Sequence, residues 1–203
     1  ITGYILDPDS PAHIRIPRVM EVWHNNKLVN ANFNGIADRA FRNRHLQTVS
    51  IEGKSNTSEY VPAYIGNMAF TGNVFLESFL ANKGRTDVEF SKIGEQAFEN
   101  NYYLHNVRIC SPQIRKGGGV IGKSAFQNTA INLQEGYRVE FNECWHTIGE
   151  DAFKFSSLKY FSLSKIEGMK HIGKHAFAST KIAERLQGSS ASSIRVPAGV
   201  ETI

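Results

Sequence analysis

The sequence predicts an α/β solenoid, a coil of stacked repeats with parallel strands along one side, and three observations point to it. The hexapeptide Ile-Gly-x-x-Ala-Phe, or a near copy, opens at Ile36, Ile65, Ile93, Ile121, Ile148 and Ile172, with Ala37 replacing the Gly in the first copy. The copies end on Phe41, Phe70, Phe98, Phe126, Phe153 and Phe177, at spacings of 29, 28, 28, 27 and 24 residues. A period-two apolar pattern also recurs, as Leu46-x-x-Val49-x-Ile51, Leu104-x-x-Val107-x-Ile109 and Leu158-x-x-Phe161-x-Leu163. Self-similarity at a period of 20–50 residues is the mark of a solenoid.

Each element of the repeat follows from local chemistry, with Ile93–Ile109 as the type unit. Ile93-Gly94 closes a short extended segment, and Gly there is expected to permit a turn that a Cβ would hinder. Glu95-Gln96-Ala97-Phe98-Glu99-Asn100 predicts one or two helical turns, with Ala97 allowing close approach to the neighbouring coil and Phe98 pointing inward. Leu104-x-x-Val107-x-Ile109 then alternates apolar and polar, as a strand with one buried face does. Looser versions of that strand are Leu76-x-x-Phe79-x-Ala81 and Val139-x-Phe141, the latter after an extended lead-in from Gln134 to Arg138. One such unit cannot bury its apolar face alone. Stacked units can, so the repeats predict a parallel sheet and an internal column of six Phe rings.

Composition narrows the function classes. The chain has 203 residues, 41% of them hydrophobic, and 23 basic against 19 acidic residues give a net charge of +4. The charges are interspersed, and the densest basic run, Arg115-Lys116, is too short for a nucleic-acid patch. No apolar run approaches the roughly 18–20 residues of a membrane span, which predicts a soluble stretch with no direct membrane insertion. The chain opens on Ile1 and ends at Ile203 within a repeat, so it reads as a piece of a longer protein. Cys110 and Cys144 lack metal-ligand spacing. They read as reduced thiols, with a disulfide between neighbouring repeats as the alternative in a secreted parent.

With the repeat laid out, the chain resembles the BspA-like leucine-rich repeat family. That family's unit runs roughly Leu-x-x-Ile-x-Ile-Pro-x-x-Val-x-x-Ile-Gly-x-x-Ala-Phe. Its front half is matched most fully at Ile14-Arg15-Ile16-Pro17 with Val19 and Val22, and again at Ile194-Arg195-Val196-Pro197 through Ile203. The resemblance implies a right-handed leucine-rich repeat array with a parallel strand face, short helical or 3-10 segments and the internal Phe column. Residues 14–203 would form that solenoid, about six repeats plus the start of a seventh, and residues 1–13 a cap or the tail of an upstream domain. The units here are longer than the family's usual 23 or so residues, and the inserts include Gly53 to Pro62, Asn82 to Ser91 and Ser111 to Gly119. Loops on a rigid array commonly carry specificity. The resemblance also implies an extracellular or cell-surface setting and adhesion to host matrix proteins, with no catalytic residues to carry over.

Candidate binding residues come from the strand pattern. Positions flanking the buried ones should face outward in two rows. One runs through Thr48, Ser78, Asn106, Arg138 and Tyr160, the other through Ser50, Leu80, Arg108, Glu140 and Ser162, with Arg195 at the C-terminal end. Arg and Tyr are frequent interface anchors, so Thr48, Asn106, Arg108, Arg138, Glu140, Tyr160 and Arg195 are the candidates. The plainer alternative is a solvated sheet face with an incidental Arg108–Glu140 pair.

Other constellations carry less. His171 and His175 are four apart but lack further ligands, so no metal is expected. Gly117 through Ser124 can be read as a phosphate-loop pattern, yet its Gly-Lys-Ser belongs to the fourth repeat and has no long helix behind it. Tyr102, Tyr103, Trp145 and Phe155 are expected to cover the core between repeats. No catalytic arrangement is supported, and no cofactor is called for.

The functional expectation is a non-enzymatic cell-surface module that binds a protein or glycan ligand on a host or neighbouring cell. The alternative is a structural spacer holding another domain of a larger surface protein, and behind both stands an enzyme accessory domain.

Overall fold

The structure, a computed structural model, describes residues 12–52, 62–81, 88–109, 118–131, 139–141, 145–158, 168–181 and 200–201. Strands appear in the order β1 (Ala12–Pro17), β2 (Val19–His24), β3 (Lys27–Asn32), β4 (Gly35–Ile36), β5 (Leu46–Glu52), β6 (Ala63–Ile65) and β7 (Ser78–Leu80). They continue as β8 (Phe90–Ile93), β9 (Asn106–Ile109), β10 (Gly119–Ile121), β11 (Val139–Phe141), β12 (Trp145–Ile148) and β13 (His171–Ile172). Two parallel sheets result, where the sequence predicted one. The first has the order β1-β5-β7-β9-β11 and the second β13-β12-β10-β8-β6-β4. From β4 to β11 the chain alternates between them, so each coil, or rung, gives one strand to each sheet. The extended segments ending in Ile-Gly are thus a second sheet in their own right.

The core lies between the sheets. Ile36, Ile65, Ile93, Ile121, Ile148 and Ile172 form one buried ladder, adjacent members paired in register. Beside it the Phe column stacks as expected. Successive centroids from Phe41 to Phe177 are 5.3, 5.1, 5.1, 5.4 and 5.5 Å apart, with interplanar angles of 8° or less. Phe79 from β7 meets Phe70 and Phe98 edge-on at 5.3 and 5.0 Å, which ties the column to the first sheet.

The segments expected to be helical are not. No helix occurs among the described residues, and each Ile-Gly-x-x-Ala-Phe continues as a run of turns. Alternate N–H groups divide the bonding. Met68, Phe70 and Gly72 donate to Glu95, Ala97 and Glu99 of the next rung at 2.8–3.0 Å, while Ala69 and Thr71 close local turns onto Gly66 and Met68. Two residues per rung take the left-handed conformation that makes this division possible. Arg39, Met68, Gln96, Ser124, Asp151 and His175 lie two residues before the Phe, with φ between 53° and 57°. Asn43, Gly72, Asn100, Asn128, Phe155 and Ser179 lie two residues after it. The helix-forming residues of Glu95–Asn100 are overridden because bonding to a neighbouring rung satisfies backbone groups that a short isolated helix would leave open.

The Gly of the motif has a different cause from the one its sequence suggests. Gly94 has an ordinary backbone conformation, but a Cβ on it would lie 2.6 Å from Gly66 C and Asn67 N of the preceding rung. Close packing of coil on coil demands it. Ala37 escapes the demand because β4 is the terminal strand of its sheet.

The N-terminal match divides in two. Ile14-Arg15-Ile16-Pro17 lies in β1 and pairs in parallel with β5, Ile14 with Val49 and Ile16 with Ile51. Val19 and Val22 instead enter the antiparallel hairpin β2–β3, where Val22 faces Val29 and Trp23 faces Leu28. Trp23 is 76% exposed.

Candidate functional site

The register of the first sheet places the sequence-derived rows side by side. Thr48, Ser78 and Asn106 are in-register partners across β5, β7 and β9, and His13 extends the row on β1. Ser50, Leu80, Arg108 and Glu140 form the second row, which Arg15 extends. Alternation along β5, β7 and β9 turns Thr48, Ser50, Ser78, Leu80, Asn106 and Arg108 outward because Val49, Phe79 and Val107 between them point into the core. Arg108 is exposed, whereas Thr48 and Asn106 are partly covered. Arg138, Tyr160, Ser162 and Arg195 lie outside the described residues, and of Glu140 the backbone pairing alone is described.

The rows are polar and mostly short-range in their bonding. Thr48 Oγ1 and His13 Nδ1 are 2.8 Å apart, Ser50 donates to Glu52 at 2.8 Å, and Gln47 Nε2 donates to Glu77 at 2.9 Å. The His13–Thr48 and Gln47–Glu77 bonds tie side chains across adjacent rungs, and the Ser50–Glu52 bond lies within β5.

The exposed aromatics lie elsewhere. Tyr102, Tyr103 and Phe155 were expected to cover the core, but each is more than half exposed, while Trp145 is buried as expected. Phe75 and Tyr103 lie at equivalent positions of their rungs and form an exposed shoulder just before the first-sheet strands. Phe75 and Tyr103 stack across adjacent rungs at 6.4 Å, and His45 meets Phe75 edge-on at the same separation. The residues just before Leu46, Leu76 and Leu104 thus form an exposed ladder. The sequence carried the signal, an aromatic directly before the strand-opening Leu in two repeats. It was obscured because large apolar side chains in a repeat ordinarily mean core.

Beneath the shoulder sits a polar ladder that sequence reasoning missed. Three residues after the Phe, buried Asn73 donates through Nδ2 to Phe41 O and Phe70 O, both at 2.7 Å. Its Oδ1 accepts from Arg44 N at 2.9 Å and Leu46 N at 3.3 Å. Asn101 bonds Phe70 O and Phe98 O, and Thr129 bonds Phe126 O, at the same point of later rungs. The recurrence Phe-x-x-Asn/Thr was visible in the chain.

Charged groups pair locally. Lys123 donates to Glu150 at 3.0 Å, and this contact raises its pKa while placing the Lys of the phosphate-loop-like run in an inter-rung pair. Lys170 bonds Glu201 at 3.0 Å and holds that carboxyl below its usual value. His171 lies 4.0 Å from Glu201 and His175 lies 3.6 Å from Asp151, so the two histidines face different carboxylates. Burial raises the Glu99 pKa against a bond from Gln96. Cys110, Cys144 and most of the three inserts are outside the described residues.

Comparison with known proteins agrees with the repeat architecture. The model of the BspA type leucine rich repeat region matches residues 24–118 and 63–203, in six copies. No curated protein matches the chain. A solved structure of a leucine rich cell surface protein from Faecalibacterium prausnitzii is similar at 20% identity, with a TM-score of 0.44 over 85% of this chain and 48% of that one. The chain therefore spans about half the length of that protein.

Proposed function

The chain belongs to the BspA-type leucine-rich repeat family, and we propose that it is a non-enzymatic binding module of a cell-surface protein, engaging a protein or glycan ligand of a host or neighbouring cell. The observation that carries this reading is the in-register display of polar rows on the first sheet, flanked by the exposed aromatic shoulder. Every strand behind that surface is locked to its neighbours, so binding orders little of the scaffold and loses little entropy there. The rows supply hydrogen-bonding groups, and the shoulder supplies rigid rings of the kind that anchor interfaces.

The proposed contact residues are Thr48, Asn106 and Arg108 on the described face, with Arg138, Glu140, Tyr160 and Arg195 as its continuation. The family's usual role as a binding scaffold supports this over an enzymatic one. A spacer role for a larger surface protein is the second reading, favoured by the stiffness that the stacked Phe column gives the long axis.

The test is binding of the chain to immobilised matrix proteins and glycans, beside a folded Asn106→Ala/Arg108→Glu variant. Saturable binding weakened at least tenfold in the variant is expected. Binding insensitive to both substitutions would sink the strand-face assignment, and no binding to any surface would favour the spacer.

A further inference from the structure

One residue breaks the chemistry of its position in every rung. The left-handed site two residues after the column Phe is held by Asn43, Gly72, Asn100, Asn128 and Ser179, but in the fifth rung by Phe155 at φ 58°. Asn and Gly enter this region readily, whereas a bulky side chain does so against a clash of Cβ with backbone. Phe155 is 53% exposed, so about half of its surface stays open to a ligand. Exposed Arg39 and His175 hold the other left-handed site of their rungs, so what sets Phe155 apart is an aromatic ring at a position otherwise Asn, Gly or Ser.

Its surroundings indicate the chemistry. Asn128 lies on the adjacent rung, its N–H bonded to Lys154 O at 3.1 Å, and its Nδ2 donates to Asn100 Oδ1 at 2.7 Å. The Tyr102 hydroxyl reaches the same Oδ1 at 3.4 Å. Tyr102, Asn100, Asn128 and Phe155 therefore make a strip over three rungs, about 10 Å across two steps of roughly 4.8 Å. Lys154 Nζ lies 5.5 Å from the Phe155 ring centre, but its charge is matched by Asp151 at 3.2 Å. The strip is neutral in sum, aromatic at one end and amide-rich in the middle.

We propose that this strip is a binding site for a neutral saccharide, one or two sugar rings long, with Phe155 as its stacking platform. The electron-rich ring face attracts the polarised C–H groups on the flat side of a sugar. The paired carboxamides retain donor capacity on Asn100 and acceptor capacity on Asn128, which suits vicinal hydroxyls that each donate and accept. An anionic ligand would need an uncompensated cation, and the Lys154 beside the strip is paired with Asp151. The site is separate from the strand face and stands without it.

The experiment titrates the 203-residue chain calorimetrically with neutral di- and trisaccharides of gluco, galacto, manno and N-acetylated types. Phe155→Asn, Phe155→Tyr and Asn128→Ala are run alongside, each with a melting curve. At least one saccharide should bind saturably. Phe155→Asn should weaken it tenfold or more while raising Tm, because Asn suits the left-handed site, and Phe155→Tyr should retain binding. Absence of saccharide binding to the parent chain would overturn the proposal. So would binding that Phe155→Asn leaves unchanged, or binding confined to acidic glycans. Binding to matrix proteins through the strand face is unaffected by any of these outcomes.

Discussion

Replacing Gly94 by Ala should separate two rungs that the sequence brings into backbone contact. The new Cβ would lie 2.6 Å from Gly66 C and Asn67 N and 2.7 Å from the Asn67 side-chain oxygen. Comfortable contact begins near 3.5 Å, so the rungs must part by about 0.9 Å. Two bonds are stretched by that movement, Gly94 N to Ile65 O at 2.8 Å and Glu95 N to Asn67 Oδ1 at 2.9 Å. Overpacking costs about 1–3 kcal/mol, and two weakened bonds cost about 0.5–1.5 kcal/mol each. The lower unfolded-state entropy of Ala offsets about 0.4–1 kcal/mol. The net loss is therefore about 3 kcal/mol, or on the order of 10 °C in Tm for a chain of this size. The control is Ala37→Gly on the terminal strand, where no such contact exists and the loss should stay at about 1 kcal/mol or less. Urea titrations followed by circular dichroism would give both values, with the slope checked because repeat arrays lose cooperativity. A Gly94→Ala chain within 1 kcal/mol of the parent would refute the backbone-contact explanation. Equal losses at both positions would do the same.

Phe98→Ala removes a ring stacked at 5.1 Å on both sides and should cost about 3–5 kcal/mol in the same titration. Asn73→Ala leaves Phe41 O and the N–H groups of Arg44 and Leu46 without their side-chain partner, Phe70 O keeping Asn101, and should cost about 3 kcal/mol. Arg39, exposed and left-handed at φ 57°, should accept Asn with a gain of about 0.5–1 kcal/mol, seen as a higher urea midpoint. Glu99 has a folded pKa raised by burial, so the native state holds its proton more tightly than the unfolded chain does. Stability from this group therefore falls as pH rises from about 4.3 through the folded value. Glu99→Gln should remove that fall, its urea midpoint gaining on the parent between pH 4 and pH 7. Parallel profiles would contradict it.

The periodicity made the solenoid, the Ile ladder and the Phe column legible because each depends on which residues are apolar and how far apart they lie. The turns were not legible. Glu95-Gln96-Ala97-Phe98 has helix-forming composition, and its fate is decided by N–H groups that bond to another rung some 28 residues away, as Phe70 N does to Ala97 O. Local propensity contains no information about such a partner. The Gly of each motif was likewise visible, but its cause lies in the backbone of a different repeat. Among the candidate residues, the Thr48–Ser78–Asn106 and Ser50–Leu80–Arg108–Glu140 rows follow from strand alternation alone. The aromatic shoulder does not, because a Tyr or Phe just before the strand Leu reads as core by composition, whereas Phe75 and Tyr103 are exposed.

Two constraints divide the rung between scaffold and variation. Column Phe, Ile and Gly positions meet the neighbouring rung's core or backbone, so a change there is felt by two rungs at once. The position two residues after the Phe has to satisfy a backbone angle while its side chain projects outward from the coil. Its occupants Asn43, Gly72, Asn100, Asn128 and Ser179 meet that demand cheaply, and Phe155 meets it at a local energetic cost. Such a position can trade stability for surface chemistry without disturbing the stack, since its N–H still bonds the next rung, at 3.0 Å from Phe155 N to Ala178 O. Departures from Asn or Gly at this position are therefore where a rung-by-rung reading should look first for recognition.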